Sequence, residues 1–209
     1  TLVRQAIVSV TYLLLNNIVF SLGGEVSATV YGIIGRMLMF ALFPVMGVVH
    51  GFLPIAGYNY GAKLYPRLKE SIWKASIAAC VLGLLIYTGL ALFPHSIVRA
   101  FTSEASILEK TPQAMLMVFA ATPIIGIQLI GAAYFQAIGQ ARPALILTLT
   151  RQGFFFIPLV LILPNYYGEF GVWISFPLAD LLATIVTGWY TYTKIKKLDM
   201  LIEEPALES

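Results

Sequence analysis

Four ionisable residues interrupt long apolar runs, and they are the side chains best suited to chemistry inside a membrane. They are Arg36, His50, Arg151 and Asp180. A charged group in lipid is costly, so such residues face a protein interior or a water-filled path and pair with one another. We expect Asp180 to pair with Arg36 or with Arg151. The sequence leaves open whether that pair is structural or takes part in coupling.

Polar residues also recur at helical spacing, which places them on single faces of predicted helices. One such face is the candidate lining of a cavity, together with His50, although packing between helices uses the same residue types. In the first apolar run this face holds Gln5, Ser9, Tyr12 and Asn16, at steps of four, three and four. Further groups are Arg36, Phe40, Phe43, Gly47, His50 and Pro54; Thr148, Arg151, Gln152 and Phe155; and Asp180, Thr184, Thr187 and Thr191.

Composition indicates a membrane protein. Of the 209 residues, 59% are hydrophobic and 11% are charged, and the mean hydropathy is +0.85. A soluble domain carries about 25% charged residues, so this chain has too little polar surface for water. Cys80 is the single cysteine, which excludes a disulfide within the chain and a zinc motif.

The sequence carries no motif of a known enzyme class. No HExxH, GxSxG or P-loop pattern is present, and His50 and His95 are far apart. We therefore expect no catalytic residue, no metal site and no cofactor other than a coupling ion. Basic residues follow the predicted membrane topology, so we do not expect nucleic-acid binding.

Six apolar segments must position these side chains, and each is long enough to cross a bilayer as a helix. Backbone groups in lipid need internal hydrogen bonds, so the predicted fold is an all-α integral membrane protein. We expect residues 94–111 to form either an ordinary loop or a short interfacial helix, and 198–209 to form a short acidic tail. The predicted spans are 5–22, 27–58, 72–93, 112–138, 143–164 and 171–193.

Lysine and arginine are concentrated in alternate connections, which predicts the orientation. The sequence predicts that both termini are cytoplasmic and that the protein lies in the plasma (inner) membrane. Arg99 and Lys110 lie on the opposite side, where four glutamates accompany them. The predicted cytoplasmic cations are Arg4, Lys63, Arg67, Lys69, Lys74, Arg142, Lys194, Lys196 and Lys197.

One irregular passage separates the second and third spans: Gly51–Lys63, GFLPIAGYNYGAK. We expect Pro54 and Gly57 to bend or end the helix, and Asn59 and Gly61 to adopt turn geometry. Lys63 then opens a basic loop. The passage is interpreted either as a helix exit at the membrane surface or as a hinge between two spans.

This passage and three later motifs resemble the multidrug and toxic compound extrusion (MATE) transporter family. GFLPIAGYNYGAK followed by Pro-Arg-Leu-Lys is similar to the loop after the eighth helix of that family. FQAIGQARPA (135–144), the Arg151-Gln152 pair before Pro158, and GVWISFPLAD (171–180) are similar to helices ten to twelve in order and spacing. The resemblance extends to about Lys197.

The resemblance implies a twelve-helix transporter made of two six-helix lobes, of which residues 1–197 form the second. The chain begins TLVRQ without methionine, and we expect a fragment whose N-terminal lobe is missing. The family exports cationic or amphipathic compounds in exchange for protons or sodium, with membrane lipid around it. Sodium-coupled members carry acids in the first helix of this lobe, and Thr1–Leu22 has none, so no coupling residue is carried over.

Two other functions remain open at this stage. A flippase for lipid-linked sugars belongs to the same superfamily, and the cations Arg36, His50 and Arg151 suit a path for phosphates. A non-transporting membrane scaffold is the alternative from a different class, although a scaffold needs no polar faces inside the membrane.

Overall fold

The computed structural model describes the backbone of residues 2–207 and the side chains of Ala6 and of residues 8–197. Every regular element in the described backbone is a helix, as the sequence predicts. The elements are α1 (Leu2–Gly61), α2 (Tyr65–Leu92), α3 (Pro94–Arg99), α4 (Ala105–Val118), α5 (Ile125–Ala137), α6 (Ala141–Leu149), a π-helical segment (Thr150–Phe156), α7 (Ile157–Tyr167) and α8 (Glu169–Leu207).

Helix α1 contains the first two predicted spans, and Gly24 separates them. Its backbone torsions are φ 66° and ψ −155°, a conformation that is essentially restricted to glycine. The apolar part, Val8–Gly61, has 54 residues and would be about 80 Å long at 1.5 Å per residue if straight. It is therefore long enough for two crossings, one on each side of Gly24.

Three further stretches are long and apolar enough to cross a membrane: Tyr65–Leu92, Ala141–Tyr167 and Glu169–Lys197. The predicted span 112–138 differs, because α4 ends at Val118 and α5 begins only at Ile125. Turns connect these two helices, and α5 alone has 13 residues. Counting both halves of α1 and the α4–α5 pair as crossings gives the six of the predicted lobe.

Helix α8 lies at the centre of the bundle. Its most apolar 18-residue window is 50% buried, against 17–22% in the other three long stretches. The buried apolar residues form two clusters, one around Phe119 and Ile34 and the other around Tyr134 and Phe52. Large apolar side chains cover the outside, as lipid contact requires. Examples are Trp73, Leu85, Leu92, Phe154, Ile162 and Trp189.

Helices α2 and α5 approach closely where small residues meet. A Cβ atom placed on Gly126 would lie 2.7 Å from the Cβ of Ala79 and 2.7 Å from the backbone nitrogen of Cys80. Gly83 lies in the same way against the carbonyl group of Thr122, in the turn before α5. Small residues allow such backbone contacts between membrane helices, so the interrupted crossing packs directly on α2.

The end of α1 differs from the sequence prediction. The helix continues through Pro54 and Gly57 to Gly61, and Asn59 is helical, with its Nδ2 donating to the carbonyl of Ile55 at 2.8 Å. Lys63 is the residue with positive φ, at 57°. The prediction that Asn59 and Gly61 form the turn was therefore wrong.

The bonds that close this end are those of a Schellman cap. The Leu64 N–H donates to the Asn59 carbonyl at 2.8 Å, and the Lys63 N–H donates to the Tyr60 carbonyl at 3.1 Å. The left-handed position thus falls two residues after the glycine that suggested it.

The connection predicted over 94–111 contains the short helix α3, and α4 begins within it at Ala105. The helical alternative is the one observed. At the other end of the chain, the backbone of α8 is helical as far as Leu207, so the predicted tail prolongs the last helix.

Candidate functional site

The fifth crossing, Ala141–Tyr167, changes from α-helix to π-helix next to Arg151. Upstream, the hydroxyl of Thr150 donates to the carbonyl of Ile146 at 2.7 Å. Downstream, Pro158 has no N–H to offer the carbonyl of Phe154, which would be its α-helical partner. Residues 150–156 are π-helical, a geometry that often marks functional sites.

The π-helical geometry brings Arg151 to Asp180 of α8. The Arg151 Nε donates to Asp180 Oδ1 at 2.5 Å, and Nη2 donates to Oδ2 at 3.4 Å. The side chain of Asp180 is 8% exposed and that of Arg151 is 22% exposed. Of the two predicted partners of Asp180, Arg151 is therefore the one observed.

This ion pair lies in the wall of a cavity of about 410 Å³, a size that suits a drug-like molecule. Both halves of α1, the π-helical segment and α8 form the cavity. Its lining is mainly apolar and aromatic. It comprises Val8, Thr11, Tyr12, Leu15, Tyr31, Leu38, Met39, Leu42, Phe43, Met46, Arg151, Gln152, Phe156, Phe176 and Asp180.

Two pairs of aromatic rings belong to the cavity wall. The ring centroids of Phe156 and Phe176 are 4.6 Å apart, and those of Tyr12 and Tyr31 are 5.6 Å apart. Ring pairs at these separations are favourable beyond their burial. Tyr31 is buried, whereas Tyr12 is 53% exposed and marks the open side of the cavity.

The predicted cavity-lining face contributes one residue to this site. Tyr12 lines the cavity, whereas Ser9, Asn16 and His50 are exposed and do not line it. Gln5 lies outside the described side chains, so its place stays a prediction.

Arg36 is exposed and has no ion pair with any described residue. The other members of the polar and aromatic face predicted for this part of α1 are exposed as well. Phe40 is 64% exposed and Phe43 is 53% exposed. The second half of α1 therefore carries an unpacked face with two cationic or titratable groups. The members of this face are Arg36, Phe40, Phe43, Gly47, His50 and Pro54.

The threonine stripe of α8 is packed instead of exposed. Thr184, Thr187 and Thr191 are buried, and a Cβ on Gly131 of α5 would lie 2.6 Å from the Cγ2 of Thr187. Their hydroxyl groups have no hydrogen-bond partner among the described residues, and the same is true of the Gln128 carboxamide oxygen. Of the two interpretations of this stripe, helix packing is the one the structure supports.

Sequence reasoning missed several lining residues. Phe176 is four residues before Asp180, a spacing that places both residues on one face of α8 and could have predicted its position in the lining. Phe156 is five residues after Arg151, so α-helical spacing selected Phe155 instead. The structure places Phe155 among the partly buried residues around the first core cluster.

The fold is that of a helical membrane protein with a cavity among its helices, and comparison with known proteins gives the family. The MatE family model matches residues 1–162. The chain is 26% identical over 187 residues to the multidrug export protein MepA of Staphylococcus haemolyticus, covering 90% of this chain and 41% of that protein. It is 27% identical over 169 residues to MepA of Staphylococcus aureus, covering 81% and 37%.

Solved structures show the same fold. A multidrug resistance MATE family transporter in an outward-facing conformation matches with a TM-score of 0.89 at 24% identity, over 95% of this chain and 45% of that one. An inward-facing structure matches with a TM-score of 0.88 at 24% identity, over 94% and 46%. The chain belongs to the MATE family of transporters, and it spans about two fifths of the length of the curated relatives it matches.

Proposed function

We propose that this chain is the second six-helix lobe of a multidrug efflux transporter. In this proposal, amphipathic compounds bind in the cavity beside the Arg151–Asp180 pair. The observation that carries it is the cavity itself, which has a volume of about 410 Å³, a mainly apolar lining and one ion pair among the described residues of its wall. Such a combination of apolar walls and few polar groups is typical of small-molecule sites.

The partner in the proposal is the N-terminal six-helix lobe, which would precede this lobe in the full-length protein. The exposed face of α1 that contains Arg36, Phe40 and His50 is the surface we assign to it. Ionisable groups such as Arg36 and His50 within a membrane helix favour a protein or water-filled environment over lipid. The central path would then run between this face and the other lobe.

Alternating access is the mechanism we propose for export. The chain superposes almost equally well on outward-facing and inward-facing MATE structures, with TM-scores of 0.89 and 0.88. A lobe that fits both states is suited to rigid-body rocking around a site at the membrane midplane. The two lobes would therefore move relative to each other, while the contacts between the helices of this lobe stay unchanged.

We propose that the protein lies in the plasma membrane. In the proposed orientation, the end of the bundle that carries the basic residues faces the cytoplasm. The second, fourth and sixth crossings end near Gly61, Ala137 and Lys197. Because every second crossing ends on the same side of a membrane, the basic segments beside these three ends lie at one end of the bundle. That concentration of lysine and arginine supports a cytoplasmic location.

Reconstituted efflux is the direct test of this function. We expect the full-length protein in liposomes to move the cationic dye rhodamine 123 when a proton or sodium gradient is imposed. Transport with only one gradient would identify the coupling ion. Movement of a fluorescent lipid-linked sugar without dye transport would favour the flippase function, and no movement of either would contradict a transport function.

A further inference from the structure

The charges in the cavity wall are not equally accessible. Among the described residues that line it, Arg151 and Asp180 are the charged ones. The side chain of Asp180 is 8% exposed and that of Arg151 is 22% exposed. Asp180 is thus largely covered and already neutralised by its partner. A ligand entering the cavity meets the cation more readily than the anion.

Arg151 retains hydrogen-bonding capacity after pairing with Asp180. A guanidinium group has five N–H donors, and Asp180 accepts two of them. The remaining three have no partner among the described residues, and the same holds for the carboxamide of Gln152, the next residue in the cavity wall. Arg151 and Gln152 thus both bring hydrogen-bonding groups to the cavity wall that no described residue uses.

We propose that these two side chains form a carboxylate subsite, so that the cavity takes aromatic compounds bearing a carboxylate group. This inference rests on the proposed function and names its substrate class. Hydrogen bonds from arginine to carboxylate are charge-assisted and stronger than neutral ones, and partial burial strengthens them further.

The rest of the cavity suits the aromatic part of such a compound. Phe156 and Phe176 pack with their ring centroids 4.6 Å apart, and Phe156 belongs to the same π-helical segment as Arg151. Phe176 is the more exposed ring of the pair, and a flat ring packed against it would share the cavity with Arg151. A purely cationic compound gains nothing from the unused donors and meets Asp180 only through its exposed edge.

Two rhodamine dyes test the subsite because they share one ring system. Rhodamine 110 has a free carboxylate, and rhodamine 123 is its methyl ester. We expect the purified full-length protein to bind rhodamine 110 about tenfold more tightly, as one charge-assisted hydrogen-bond set implies. Equal binding, or tighter binding of the ester, would overturn the inference without any variant being made.

Variants locate the effect. Arg151→Gln combined with Asp180→Asn removes the subsite without leaving a lone buried charge, and we expect it to abolish the preference for the acid. Gln152→Leu should reduce the preference, whereas Arg99→Gln, which removes an exposed arginine at the end of α3, should leave it unchanged. A preference that survives in a folded double variant would contradict the assignment to Arg151.

Failure of this inference is distinguishable from failure of the proposed function. Efflux of the ester without efflux of the acid would overturn the carboxylate subsite and leave the efflux function standing. If neither dye is exported, the efflux function fails, and the binding comparison still decides whether the subsite exists.

Discussion

Arg151 and Phe156 are five residues apart, yet both line the same cavity because the helix between them is π-helical. In an α-helix, residues three and four apart share a face, which would turn Phe155 toward Arg151 in place of Phe156. The register of this short segment therefore decides which aromatic ring accompanies the ion pair, and the shape of the cavity depends on it.

Lengthening the segment tests this dependence on register. An alanine inserted after Gly153 would put Arg151 and Phe156 six residues apart, a spacing at which neither α-helical nor π-helical geometry places two residues on one face. We expect rhodamine binding to weaken about tenfold, which corresponds to about 1.4 kcal/mol. Gly153→Ala keeps the length, and a Cβ there meets no other group within 4 Å, so it should bind normally. Unchanged binding by the insertion variant would contradict the role of the register.

The sequence predicted this fold well because its signals act over single helices. Long apolar runs gave the crossings. The cost of buried charge predicted that Asp180 pairs with Arg36 or Arg151, and the structure shows Arg151 as the partner. The π-helical register could not be predicted, since it depends on a balance between the Thr150 hydroxyl bond and the proline at 158. The left-handed Lys63 was missed for a similar reason: glycine at 61 suggested an earlier turn than the packed chain makes.

The Arg151–Asp180 pair should show strong coupling in stability measurements. Removing one partner of a buried ion pair costs about 3–5 kcal/mol, because the other charge stays uncompensated. We expect Arg151→Gln to approach the lower end of that range, since the arginine is partly exposed. The double variant with Asp180→Asn should lose less stability than the sum of the two single variants.

A thermal-unfolding double-mutant cycle in detergent measures this coupling. Non-additivity of about 1 kcal/mol or more is the expected result for groups in direct contact. Simple additivity of the two single changes would contradict a tight pair at this position.

Gly24 should resist substitution because of its backbone torsions. At φ 66° and ψ −155°, an L-residue is strained by about 1–3 kcal/mol, so Gly24→Ala is expected to lower the thermal stability. Gly32→Ala is the matched control within the same helix. A Cβ there meets no other group within 4 Å, and alanine in a helix is favoured by about 0.5–1 kcal/mol. Equal effects of the two changes would contradict the break at Gly24.

Two buried threonines should respond oppositely to replacement by valine. Thr111 and Thr187 are both 0% exposed, but only the Thr111 hydroxyl has a partner, the Ile107 carbonyl at 2.7 Å. Thr111→Val should therefore destabilise by about 1 kcal/mol, while Thr187→Val should be neutral or stabilising. Thermal unfolding of both variants is the measurement. A similar loss at both positions would show that the Thr187 hydroxyl is hydrogen-bonded in the membrane.

Cavity filling tests the central claim most directly. Leu42 lines the cavity, whereas Leu85 is 62% exposed on the outer surface of the bundle. Tryptophan at position 42 would occupy space that a substrate needs. The measurement is gradient-driven rhodamine 123 efflux by the full-length protein in liposomes, normalised to the amount of folded protein. We predict that Leu42→Trp loses efflux and that Leu85→Trp keeps it; efflux by folded Leu42→Trp at the wild-type rate would contradict a transport role for this cavity.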